Sequence, residues 1–221
     1  MRGKLFVIEG LDGSGKATQT ARLIENLRAA GKAVRPLSFP CYESDSSALV
    51  RMYLAGEFGD HPDDVNGYAA SAFYAVDRYA SFKKDWQRDY LAGAVFVADR
   101  YTTSNAVYQM CKLPRSEWDD YLRWLADFEY DKLGIPAPDA VLYLDMRPET
   151  SERLMRERYS GDESKKDIHE KDLQFQRISR EAAHYCAQKQ GWRILNCDEG
   201  GRLRTVEEIA ADIYEQIKEC F

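Results

Sequence analysis

Short apolar runs separated by longer amphipathic stretches set the pattern of this chain. The runs at residues 5–8, 94–98 and 140–144 carry no charged residue and have the length of buried strands. Two weaker strand signals lie at 33–38, ended by Phe39-Pro40, and at 192–195. Between them apolar residues fall at helical spacing. Leu23, Ile24 and Leu27 form the stripe of a helix stopping at Gly31, 46–55 reads as a short helix closed by Gly56, and 62–90 as a long aromatic-rich helical region. Helices are predicted again over 103–111, over 116–130, from near Pro148, and over about 168–189. Of these, 116–130 is heavily aromatic, suited to packing between subunits or beneath a lid. The last helix opens at Thr205, with Glu208 at capping-box spacing and Val206, Ile209, Ile213 and Ile217 on one face.

Strands alternating with helices predict an α/β fold, a five-stranded parallel sheet flanked by helices on both faces. Ligands of such sheets sit beyond the carboxyl ends of the strands. That gathers residues 10–16, Phe39-Pro40, Asp99-Arg100-Tyr101 and the region after Asp145 along one edge. No repeat or domain boundary is visible, so a single domain over 1–221 is expected. The most polar stretch, 156–167, is expected as a mobile lid within it, or else a merely solvated loop.

Composition narrows the partners. A net charge of −6 argues against non-specific binding to a nucleic acid polymer or an anionic membrane, both of which want a basic surface. The five cysteines (Cys41, Cys111, Cys186, Cys197, Cys220) are scattered, odd in number and without a C-x-x-C, which predicts reduced thiols in a cytoplasmic protein rather than disulfides or zinc. The apolar run before Glu9 is too short for a signal peptide or a membrane span. His61, His169 and His184 share no ligand spacing and read as surface or satisfied core residues.

The candidate chemistry starts at Gly10-Leu11-Asp12-Gly13-Ser14-Gly15-Lys16, where a buried strand turns into a helix, close to the G-x-x-x-x-G-K-[ST] phosphate loop. Glycines let backbone N–H groups converge on phosphate oxygens, the helix start adds positive potential, and the lysine reaches the outer phosphates. Gly10, Asp12, Gly13, Ser14, Gly15, Lys16, Ala17 and Thr18 are the expected contacts of a nucleoside triphosphate. Ala17 stands where a hydroxyl normally meets Mg²⁺, and Thr18 follows one place late. At the end of a second strand, Asp99 lies where a carboxylate reaches Mg²⁺ directly or through water, and Arg100 where a guanidinium grips phosphate. Tyr74 and Arg78, at i and i+4, share a helix face suited to a base and a phosphate, or equally to a core ring beside an Arg78–Asp77 surface pair.

Five segments in order, GLDGSGKATQ (10–19), YAVDR (74–78), DRYTTSNAVYQ (99–109), PAPDAVLYLD (136–145) and the D-x-x-E within DIHEKDLQF (167–175), resemble thymidylate kinases over roughly residues 5–195. The resemblance implies transfer of phosphate from ATP to dTMP with Mg²⁺, in a homodimer packed through helices. It implies Lys16 on the ATP phosphates, Arg100 bridging donor and acceptor, and Asp12 near the acceptor sugar and metal. It further implies a thymine stacked on Tyr74 or its neighbour Phe73, its edge met by Arg78, with Asn105 on base or phosphate and Tyr108 against C2′ of the sugar. Phe39 and Ser104 belong to the same acceptor site, and Asp99 and Thr18 would hold Mg²⁺ through water. Some members carry an arginine in the loop beside the aspartate. Here that place is Gly13, so the catalytic arginine is expected from the lid: Arg153 and Arg158, with Arg156 in reserve and Lys165 and Lys166 nearby. Two other classes fit the loop, a phosphate-loop kinase with a different acceptor and a nucleotide-dependent switch; no N-K-x-D segment supports the switch.

Overall fold

The structure is a computed structural model that describes residues 2–162, 167–199 and 202–220, with the side chain of Arg158 excepted. Strand β1 (Lys4–Gly10) lies at its centre, parallel to β3 (Val95–Asp99) on one side and β4 (Ala140–Asp145) on the other. β2 (Val34–Ser38) adds to β3 and β5 (Arg193–Asn196) to β4, giving the all-parallel order β2-β3-β1-β4-β5. The expected five-stranded sheet is the one found.

Alternation along β1 explains why its run is apolar throughout. Leu5 and Val7 enter one core with Phe96, Ala98, Val141 and Tyr143, while Phe6 and Ile8 enter the other with Val97, Leu142 and Leu144. On the first face lie α5 (Thr102–Tyr108), α6 (Trp118–Ala126) and α8 (Leu173–Gln190), which contribute Val107, Tyr121 and Cys186. Helix α3 (Gly67–Ser81) continues into this layer through Phe82 and Trp86. On the second face α1 (Lys16–Ala29) and α9 (Val206–Ile217) supply Leu23, Ile24, Leu27, Ile209, Ile213 and Ile217. Each such side chain, fully buried, stabilises the fold by roughly 1.5–3 kcal/mol.

Several boundaries differ from the periodic reading, each for a local reason. The 62–90 region is broken: a 3₁₀ turn at Pro62–Asp64 is followed by Asn66, whose side chain accepts the Ala69 N–H at 2.9 Å and starts α3. Beyond Ser81 a π-helical stretch, Phe82–Trp86, leads into α4 (Gln87–Leu91). α6 likewise runs into a π stretch, Asp127–Lys132, which turns Glu129 inward. The helix expected from 168 begins at Leu173, because Asp172 caps it by accepting the Phe175 N–H at 2.9 Å. The preceding turn is held by Asp167, whose carboxylate accepts the N–H groups of His169 and Glu170 at 2.8 and 2.9 Å. Short helix α2 (Ala48–Leu54) follows a 3₁₀ turn, Asp45–Ser47. A small antiparallel pair, β6 (Asp198–Glu199) and β7 (Arg202–Leu203), was not expected, since strands this short carry no periodic signal. The capping box of α9 is formed in both directions, Thr205 N–H to Glu208 at 2.7 Å and Glu208 N–H to Thr205 at 3.2 Å. All five cysteines are free. Among the described residues no helix is long and apolar enough to cross a membrane.

Candidate active site

At the carboxyl edge of the sheet, β1 ends in a loop that wraps the start of α1. Gly13 and Gly15 take left-handed backbone angles (φ +79° and +86°), which side chains resist and which allow a loop's amides to turn toward an anion. Gly13 is also walled in: a Cβ there would lie 2.7 Å from the Ser151 carbonyl oxygen and 2.8 Å from Cγ of Met155. Both belong to α7 (Pro148–Arg158), which leans on the loop and donates the Ser151 hydroxyl to the Asp12 carbonyl. Lys16 Nζ donates to the Leu11 carbonyl at 2.7 Å and sits 4.0 Å from Asp12. Burial and the nearby Arg100 charge lower the Lys16 pKa to about 8, against the pull of Asp12, Asp99 and Glu9.

Arg100 is held in the left-handed region at φ +66°, a conformation costing about 1–3 kcal/mol for a side-chain-bearing residue. Its N–H bonds the Ile8 carbonyl at 3.1 Å, so β1 keeps the backbone in place while the guanidinium turns into the cleft. There it pairs with Asp12, lies 3.6 Å from Glu9 and donates to Ser104 Oγ at 3.4 Å. Burial alone would raise the Asp12 pKa; Arg100 and Lys16 instead hold it at about 2. Glu9, fully buried, accepts the Thr103 and Ser104 hydroxyls, each at 2.7 Å. It thereby ties β1 to the start of α5.

The loop opens into a cavity of about 870 Å³. Phe39, Tyr74, Asn105 and Tyr108 line it together with the loop, as do Tyr42 and Arg51. Tyr108 donates its hydroxyl to Asp12 at 3.2 Å. Asn105 Nδ2 is held by Glu129 at 2.9 Å and by the Ser71 carbonyl at 3.2 Å. Arg51 is fixed by the carbonyls of Tyr42 and Ser44 at 2.7 and 2.9 Å and by Ser47 Oγ at 2.6 Å. The turn after the polar segment closes one wall with Asp167, His169 and Glu170. Burial, reinforced by Asp12 and Glu170, pushes the Asp167 pKa up to about 7.

The thymidylate kinase family profile matches residues 8–209. A thymidylate kinase of Mycobacterium tuberculosis is 33% identical over 207 residues, covering 90% of this chain and 94% of that protein. One from Caenorhabditis elegans is 30% identical over 229 residues, covering 98% and 92%. The chain belongs to the thymidylate kinase family. In solved structures, thymidylate kinase from Candida albicans superposes with a TM-score of 0.71 at 22% identity, covering 99% of this chain and 92% of that one, a likeness of fold.

Of the residues expected from the family pattern, the structure brings Asp12, Gly13, Gly15, Lys16, Ala17, Thr18, Phe39, Tyr74, Asp99, Arg100, Ser104, Asn105 and Tyr108 to one cavity wall. Gly10 and Ser14 lie behind the wall, within the loop's own packing. Tyr74, not Phe73, faces the cavity; Phe73 packs on Tyr53 and Phe58. Arg78 departs most from expectation. It lies off the cavity wall, 1% exposed, with its guanidinium gripped by Glu129 at 2.6 and 2.7 Å and donating to the Tyr101 carbonyl at 3.3 Å. A buried carboxylate on the facing helix outcompetes the cleft for that charge.

Arg153 is exposed on α7 and off the wall, whereas its neighbours Leu154 and Met155 are on it. Arg156 pairs with Glu152 at 3.2 Å. The Arg158 side chain, Lys165 and Lys166 lie outside the described residues, as does the middle of the expected lid. Sequence reasoning missed Glu9, Arg51, Glu129 and His169. For Glu9 a signal existed, a lone carboxylate within an apolar strand; for Glu129, reached only by folding, there was none.

Proposed function

We propose that the chain transfers the γ-phosphoryl group of ATP to dTMP at this edge cavity, giving ADP and dTDP. The observation that carries this is one cavity joining a phosphate loop, with Lys16 and Arg100, to an aromatic-walled recess of Phe39, Tyr74 and Tyr108. Lys16 and the loop amides would take the ATP phosphates. Arg100, preset by its strained backbone, would leave Asp12 to bridge donor and acceptor. Phe39 and Tyr74 would enclose the thymine, Asn105 would offer a donor to base or phosphate, and Tyr108 would stand against the sugar. No general base is needed, because the attacking phosphate oxygen is already anionic near neutral pH; positioning and charge neutralisation supply the catalysis. Arg153 or Arg158, with Arg156 in reserve, would complete the charge, Gly13 leaving no room for an arginine in the loop.

Among the described residues no cluster of three His, Cys, Asp or Glu could hold a metal by itself. Kinase sites hold Mg²⁺ through few carboxylates, water and substrate phosphates, and the carboxylate of Asp99 on the cavity wall is of that kind. Asp99, and Thr18 through water, would hold it, and when bound it neutralises the developing phosphate charge. The half-exposed apolar residues Tyr68, Val76 and Tyr79 on α3 support a homodimer packed through helices, and five free thiols support a cytoplasmic setting. The chain acts as a single domain with residues 156–167 as its lid. A coupled ADP-release assay across dTMP, dUMP, UMP, dCMP, AMP and GMP tests the function, with dTMP expected far ahead; equal turnover of UMP would overturn it.

A further inference from the structure

Rejection of a 2′-hydroxyl by an aromatic wall works only if the wall is stiff, since a ring free to tilt makes room. Tyr108 is pinned at its tip by the bond to Asp12, yet a tyrosine held at Cβ and hydroxyl still rotates about that axis. Its face must therefore be held separately. Arg100 Cζ lies 5.1 Å from the ring centroid, but that guanidinium also pairs with Asp12 of the loop and donates to Ser104, so it does not serve the ring alone. Two further rings lie against that of Tyr108: Phe175, tilted by 31° at 6.2 Å between centroids, and His169, which alone of the two is parallel to it, within 7° at 5.5 Å.

His169 is itself anchored from outside the cavity. Its Nε2 is 2.7 Å from the hydroxyl of Tyr53, on α2. That hydroxyl accepts a hydrogen bond from Lys112 Nζ at 2.7 Å, and Lys112 is fixed in turn by the Val65 carbonyl at 2.9 Å. An ammonium can only donate, so Tyr53 accepts from Lys112; its own proton faces two acceptors, His169 Nε2 at 2.7 Å and the more distant Pro62 carbonyl at 3.3 Å. Burial and the nearby Lys112 charge lower the His169 pKa to about 3, so the imidazole is neutral and one of its ring nitrogens is an acceptor. Tyr53 is completely buried and His169 is 5% exposed. A relay of fixed contacts thus runs from Lys112 through Tyr53 and His169 to the Tyr108 ring.

We propose that His169 is a specificity-determining positioning residue: its ring, oriented by Tyr53, fixes the plane of Tyr108 and so sets the preference for a 2′-deoxy acceptor. This rests on the placement of Tyr108 against the acceptor sugar. The test compares kcat/KM for dTMP and for its ribose counterpart, 5-methyluridine monophosphate, which differs only at the 2′-hydroxyl. His169→Asn keeps an acceptor for Tyr53 but has no ring face, and its deoxy-to-ribo ratio is expected to fall about tenfold with KM for ATP unchanged. His169→Phe keeps a ring face but loses the bond to Tyr53, and its ratio is expected to lie between those of H169N and the parent. An unchanged ratio in H169N, or an H169F variant no better than H169N, overturns the proposal. If H169N does not fold, Tyr53→Phe carries the test, since it deletes one hydroxyl: a ratio lowered about threefold supports the relay, and an unchanged ratio refutes it. Tyr108→Ala separates the two layers. If it leaves the ratio unchanged, the placement of Tyr108 itself fails; if it collapses the ratio while H169N does not, only the role of His169 fails.

Discussion

Replacing Glu129 by glutamine should be among the most damaging isosteric changes in this protein. Glu129 and Arg78 are 0% and 1% exposed, joined by two hydrogen bonds, and the same carboxylate accepts from Thr102 at 3.0 Å and Asn105 at 2.9 Å. Removing the negative charge strands a guanidinium that has no water to turn to, and breaking such a buried pair costs about 3–5 kcal/mol. For 221 residues at about 2.1 cal/mol/K each, the unfolding entropy near the midpoint is about 0.46 kcal/mol/K, so about 4 kcal/mol lowers Tm by about 9 °C. Because a glutamine amide oxygen must now serve Asn105, Thr102 and Arg78 alone, one of the two anchors of Asn105 weakens, and KM for dTMP should rise severalfold while KM for ATP holds. The double variant R78M/E129M, which removes both charges, should recover most of the lost Tm. Scanning calorimetry and acceptor titration measure all three. A Glu129→Gln protein melting within about 2 °C of the parent, or a double variant no more stable than the single, would refute the reasoning.

Three further outcomes are expected. Lys16→Ala and Arg100→Ala should each lower kcat by roughly two orders of magnitude or more in the ADP-release assay, and near-normal turnover would remove that residue from phosphate binding. Gly13→Ala should cost about 1–2 kcal/mol in backbone strain alone and raise KM for ATP by displacing α7; unaltered melting and KM would show that the loop tolerates a side chain there. With its pKa lowered to about 8, Lys16 is charged below that pH and loses its proton above it. Because ATP binds the charged form, KM for ATP should be flat below about pH 8 and rise by up to roughly tenfold per unit above it, a dependence that Lys16→Arg should abolish.

Much of this architecture is legible in the sequence because it is written locally. The strands at 5–8, 94–98 and 140–144 are buried on both faces and therefore uniformly apolar, and the phosphate loop is contiguous. Asp99-Arg100 needed one further rule, that parallel strands end at the ligand edge. What escaped depends on partners far along the chain. Arg78 carries no local mark that Glu129, 51 residues on, will take its charge. His169 read as a surface or a satisfied core residue, and it is the latter; that its partners are Tyr53 and Tyr108 exists only after α2, α5 and the 167–172 turn converge. The late start of α8 was missed because Asp167 and Asp172 cap successive turns within a stretch whose apolar spacing already looked helical.

The contact between α7 and the phosphate loop limits where this lineage can travel by mutation. An arginine at position 13 would have to adopt a left-handed backbone and displace the Ser151 carbonyl and Met155 at the same time. No single substitution relieves both obstacles, because one is the main chain of α7 and the other a side chain on its next turn. Intermediates that moved the helix first would lose the Ser151 bond to Asp12 before any new charge arrived. A loop with an arginine at this position and this chain's loop with a glycine are thus separated by concerted steps, each unfavourable alone. A laboratory library that varies position 13 together with Ser151 and Met155 would cross that gap; one that varies position 13 alone would find only losses.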